Sequence, residues 1–135
     1  MALPSIGGGR QLGDGNTNEL ILGTQAAPAT ATSTATLTAA QVTSGMLVAN
    51  PSTSAATYTL PTGAQIDAVM TNAKVNSTFG LAIVNIGTSS GTVTLSMGTG
   101  LTDGGNAAVA VAITSSALFR FRRTGDNAWT VYKVA

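Results

Sequence analysis

The chain has 135 residues, a formal net charge of +1, no Cys, no His and only five carboxylates, Asp14, Glu19, Asp67, Asp103 and Asp126, scattered singly. General acid–base work, nucleophilic catalysis and transition-metal binding draw mostly on the missing groups, so no enzyme activity and no cofactor are expected. The near-neutral balance argues against nucleic-acid binding.

The length suits one compact domain. Charged residues make up 8% of it, against about 25% in an average soluble domain. Much of the apolar content is Ala, so the core is weak for its length at roughly 25 cal/mol per Å² of apolar area buried. Both facts point to a subunit that buries further surface against copies of itself or a partner. The opening residues lack a signal-peptide pattern and no run of 18 apolar residues occurs, so a soluble, cytoplasmically made protein is expected, with no membrane partner.

Residues 1–28 are expected to form an extended N-terminal arm. Gly7, Gly8, Gly9, Gly13, Gly15, Gly23, Pro4 and Pro28 give it loop composition around one apolar cluster, Leu20, Ile21 and Leu22. That cluster suits docking on a neighbour, and equally an edge strand on its own domain. The stretch GGGRQLGDG lacks the Gly-Lys-Ser/Thr ending of a phosphate loop and reads as arm.

Residues 29–135 are expected to form the folded domain. ATATSTATL alternates at period two, as a strand does. In TAAQVTSG, Thr38 is a candidate N-cap and Gly45 a stop for one helical turn. GMLVANP and ATYTLP are short strands closed by Pro51 and Pro61. Gly63 to Asn72 is the one full helix, with Ile66, Val69 and Met70 in a single stripe. TFGLAIVNIG is apolar on both faces, as a central buried strand is, and GTSSG reads as a hairpin turn into GTVTLSMGTG, where Val93, Leu95 and Met97 share a face. AAVAVAI sets Val109, Val111 and Ile113 on one face of a further strand. ALFRFRRTGDNAWTVYKV is a hairpin turning at Gly125-Asp126-Asn127, with Phe119 and Phe121 inward and Arg120 and Arg122 outward. Seven or eight such strands imply an all-β fold, a β-sandwich or jelly roll with one short helix.

LTDGGN, with Asp103 and Asn106, is too poor in oxygen ligands for calcium and reads as a turn. Arg120, Arg122 and Arg123, with Lys133 placed across the hairpin, form either a solvated face with ion pairs or a salt-sensitive contact to an acidic partner. Trp129 and Tyr132, three apart on a strand, lie on opposite faces, which favours core packing for Trp129 over a carbohydrate platform.

Three blocks carry a resemblance: LTAAQVTSGMLVANPSTSAATYTLPTGAQIDA (37–68), FGLAIVNIGTSSGTVTLSMGTGLT (79–102) and ALFRFRRTGDNAWTVYKV (117–134). Their order resembles small head decoration (cement) proteins of tailed bacteriophages, notably of cyanophages. The resemblance implies a β-rich, homotrimeric protein of the outer capsid surface, binding and stabilising the assembled major capsid protein. The arm lies outside it. Partner-binding residues expected from the sequence are Leu20, Ile21, Leu22, Arg120 and Arg122. The alternative is a tail or fibre component whose β domain binds a host surface.

Overall fold

The computed structural model describes residues 22–135. Residues 22–28 carry no strand or helix and are exposed throughout. The sheet-forming part then opens with β1 (Ala29–Ala31) and β2 (Ala35–Thr36), followed by α1 (Ala39–Thr43), β3 (Met46–Ala49), β4 (Ala56–Thr59) and α2 (Gly63–Val69). The second half comprises β5 (Thr78–Asn85), β6 (Val93–Ser96), β7 (Leu101–Asp103), β8 (Ser115–Gly125) and β9 (Ala128–Lys133). The fold is sheet-rich: a mixed six-stranded sheet in the order β1-β3-β5-β8-β9-β7 and a three-stranded sheet in the order β2-β4-β6.

Residues 29–96 wind as a coil. Each of β1, β3 and β5 lies in the large sheet, and each is followed by a strand of the small sheet, β2, β4 and β6. The first two returns pass through α1 and α2. Successive turns therefore stack in parallel: Ala29 beside Leu47 beside Ile83 in one sheet, Ala35 beside Tyr58 beside Leu95 in the other. Parallel neighbours need such crossovers, because a tight turn joins only antiparallel ones. Five of the seven strand pairings described are parallel, whereas a jelly roll is antiparallel.

Both helices begin the same way, and the sequence says why. ATLTAAQ (35–41) and YTLPTGAQ (58–65) each place a buried Leu, Leu37 or Leu60, just before a Thr-x-x-Gln capping box. The Gln41 amide donates to Thr38 Oγ1 at 3.1 Å, and the Thr38 amide donates to Gln41 Oε1 at 2.8 Å. Thr62 and Gln65 repeat the exchange at 3.2 and 2.9 Å. These bonds satisfy backbone donors that a short helix leaves unpaired. Val42 and Ile66, one position after each Gln, are fully buried. Gly45 at φ +90° ends the first helix, as expected.

One buried cluster draws members from both sheets. Its largest members are Trp129, Tyr58, Phe119 and Phe121. Phe79 stacks on Phe121 with centroids 4.7 Å apart and meets Trp129 edge-on at 5.3 Å. The β8–β9 hairpin forms as expected, with Gly125 opposite Ala128 across Asp126-Asn127. Asn127 takes a left-handed φ of 56°, which Asn tolerates well.

Several expectations are corrected. ATATSTATL is not one strand: residues 32–34 turn a corner between the sheets, held by Tyr58 Oη donating to the Thr32 carbonyl at 2.6 Å. GTSSG is not a hairpin turn either, because β5 and β6 belong to different sheets. A tight glycine turn serves a corner as well as a hairpin, so composition does not separate the two. β5 is central, but its faces differ: Leu81, Ile83 and Asn85 are buried, while Ala82 and Val84 are only half-buried. AAVAVAI makes no strand. Only Val111 bridges, to Val93, and Val109 is exposed. Here the amides of Gly105, Ala107 and Ala108 donate to the Asp103 carboxylate instead of a ladder. The helix expected over 63–72 stops at Val69, with Ile66 buried, Met70 half-buried and Val69 exposed.

Candidate interaction surface

The described carboxylates hold the fold together. Asp67, on α2, accepts from Arg123 Nε at 3.1 Å and Nη2 at 2.8 Å. It also accepts from the Asn127 amide and Trp129 Nε1, both at 2.8 Å. The Arg123 guanidinium holds this carboxyl far below the usual carboxylate range. Asp126 joins the same guanidinium at 3.0 Å. Asp103 is lowered by the backbone amides of its own loop, Ala107 foremost. All of its donors are N–H groups, so its oxygens serve the loop; Asn106 instead clips Lys133, donating to its carbonyl at 2.8 Å and accepting from its amide at 3.1 Å. Among the described residues no three His, Cys, Asp or Glu gather where a metal ion would sit.

The arginines divide between the two faces of β8. Alternation sends Arg120 and Arg122 outward and Arg123, like Phe119 and Phe121, inward, where it meets Asp67. Lys133 is not their neighbour: it pairs with Phe119 and lies on the opposite face of the sheet. Trp129 is in the core, 1% exposed, and Tyr132 lies outward opposite Arg120. Arg122 donates to Tyr132 Oη from Nε at 3.1 Å and Nη2 at 3.0 Å, and to Asn76 Oδ1 from Nη1 at 2.9 Å. Arg120 makes no side-chain hydrogen bond to the described residues and is exposed.

These side chains stand at one end of the outer face of the large sheet. The other outward positions on the central strands are Met46 and Val48 of β3, Thr78, Gly80, Ala82 and Val84 of β5, and Ser116 and Leu118 of β8. Ile86 and Val134 continue the face beyond the strand ends and are 49% and 47% exposed, with Leu118 at 40%. The result is a largely apolar strip, interrupted by Ser116 and bordered by Arg120, Arg122 and Tyr132, with no Asp or Glu side chain on it among the described residues. Sequence reasoning found the arginines but missed the strip. Its signal was present in the alternate positions of FGLAIVN and ALFRF, masked by reading β5 as buried on both sides.

Of the arm cluster, Leu22 is 78% exposed, while Leu20, Ile21 and the GGGRQLGDG stretch lie outside the described residues. Gln25 Nε2 donates to the Ser44 carbonyl at 2.9 Å, which ties the start of the described chain to the α1–β3 junction. No described helix is long and apolar enough to cross a membrane. In comparisons with known proteins, no family model matches the chain, and no curated protein or solved structure matches it.

Proposed function

We propose that the chain is a non-enzymatic virion structural protein that binds the outer surface of an assembled phage capsid and stabilises it. In this reading it is a homo-oligomer, a trimer by the resemblance, and its two sheets work as a sandwich around one core. The major capsid protein is the partner. The observation that carries the reading is how the polar groups are used. Asp67, Asp103 and Asp126 are bonded within the fold, while the outer face of the large sheet presents an apolar strip rimmed by Arg120, Arg122 and Tyr132. A side-chain set spent on holding shape leaves contact as the means of action, and exposed apolar strips rimmed by polar groups mark interaction sites. The three-block resemblance supplies the kind of partner. A ligand that binds only the assembled shell stabilises it by mass action.

The test is co-sedimentation with capsids that lack the protein, using the full chain and a version truncated before Ala29. Saturable binding at a fixed ratio to the capsid protein is expected. Absence of binding by the full chain overturns the reading and directs attention to the tail or fibre alternative.

A further inference from the structure

We propose that the outer face of the six-stranded sheet is a docking site for a protein surface that is apolar apart from a carboxylate, which pairs with Arg120. The apolar strip of Val48, Val84, Leu118 and Val134 is partly open to water, and Arg120 follows Leu118 by two positions on the same face. Any partner that covers the strip must desolvate that guanidinium. An unpaired buried charge is costly, so the partner has to bring the counter-charge with it. Arg122 is held in place by Tyr132 and Asn76 and reinforces the positive rim. Its donors are already engaged, whereas Arg120 offers a full fork for bidentate carboxylate pairing.

Charge complementarity also narrows the occupant. A second copy presenting the same face brings no Asp or Glu side chain on that face among the described residues, and Asp67 and Asp103 are bonded within their own chain. Nucleic acid would gain little from the strip, because the phosphate backbone rewards rows of cations and not valines. An acid-bearing, otherwise apolar protein surface satisfies both halves of the site.

The inference rests on the proposed capsid role only for its second assay. The first uses the purified protein and a short capped peptide alternating Glu with Leu and Val, beside its Lys analogue, followed by amide NMR shifts. Shifts at Ala82, Val84, Leu118 and Arg120 with the Glu peptide alone support the site. Equal response to both peptides, no response, or response confined to other faces overturns it. The second assay compares capsid binding by Arg120→Glu and by Lys133→Glu, which makes the same charge change on the opposite face. Arg120→Glu is expected to weaken binding at least about tenfold and Lys133→Glu to leave it near wild type. Equal effects overturn the inference. A peptide response without capsid binding by the wild type removes the capsid role and leaves the docking site standing.

Discussion

Asp67 and Arg123 stand 56 positions apart in the chain and meet through two parallel hydrogen bonds, 3.1 and 2.8 Å long, that fasten α2 to the β8–β9 hairpin. Both side chains are mostly covered, at 17% and 13% exposure. The carboxylate also receives Trp129 Nε1 and the Asn127 amide, so one acid orients the largest core residue and the hairpin turn together. Asp67→Asn keeps the shape but loses the charge and turns an amide group toward donors. It is expected to destabilise the fold by about 2–3 kcal/mol in denaturant unfolding.

The same pair sets an acid limit on stability. Asp67 has a folded pKa depressed below its unfolded value, so its contribution is fully present above about pH 4 and is lost as pH falls toward the folded value. Asp103 is shifted in the same direction and adds to the loss. Midpoints of urea unfolding are expected to hold steady from neutral pH to about 5 and to decline below about 4. Asp67→Asn should flatten that decline. An acid limb of unchanged depth in the variant would show that other carboxylates set it.

Helix α2 is seated closely against the β8–β9 turn. A Cβ built on Gly63 would lie 1.9 Å from the Asn127 carbonyl oxygen, a backbone atom that cannot swing aside. Helix α2 can therefore start against the hairpin turn only with glycine in that place. Gly63→Ala is expected to cost about 3 kcal/mol or to block folding. Gly125→Ala, two positions before Asn127 in the same hairpin, meets nothing within 4 Å and should stay within about 0.5 kcal/mol of wild type. Thermal unfolding of the two variants side by side tests the contrast.

The two capping boxes look alike in sequence but differ in reach. Gln41 Nε2 also donates to the Thr30 carbonyl on β1 at 3.0 Å, tying α1 to the first turn of the coil. Replacing either Gln with Glu keeps the acceptor for the capping Thr amide. Only at position 41 does it bring a carboxylate against a carbonyl. Gln41→Glu is thus expected to destabilise by about 1 kcal/mol near neutral pH, and Gln65→Glu to be close to neutral. Equal effects in chemical unfolding would show that the Thr30 contact contributes nothing.

Local chemistry was the legible part of this chain. Thr38 and Gly45 announced α1, and Asp126-Asn127 announced the hairpin, because caps and turns are decided by residues a few positions apart. Pairing was not legible. Alternation in TVTLS identifies a strand and its inward face, but it carries no mark of which sheet the strand joins. The coil depended on stacking Ala35, Tyr58 and Leu95, which lie tens of residues apart. Its sequence trace was the echo of TLTAAQ in TLPTGAQ, a repeat visible only when compared as a repeat. At the surface, Arg120 and Arg122 were found from alternation, and the same alternation carries Arg123 inward after Phe119 and Phe121, opposite Trp129.

Asn85 gives the last prediction, at the corner where β5 leaves its sheet. It is 1% exposed and bonded on every side: Nδ2 donates to the carbonyls of Gly91, Val111 and Ala112 at 2.9, 3.1 and 3.1 Å, and Oδ1 accepts from the Gly87 amide at 2.8 Å. It thereby holds the 107–113 loop, which forms no strand of its own, against the third turn of the coil. Asn85→Ala removes this partner from the Gly91 and Ala112 carbonyls and the Gly87 amide, while Val111 keeps its bond from the Val93 amide, and is expected to cost about 3 kcal/mol at any pH where the fold is otherwise intact. Asn85→Asp adds a pH dependence. Burial against carbonyls raises the folded pKa of the new carboxyl above its unfolded value near 4, so its ionisation opposes folding and the deficit grows as pH rises from about 4 to 7. Urea unfolding of both variants across that range separates the cases: a widening gap between them fits a sealed corner, and parallel curves would mean that water reaches Asn85.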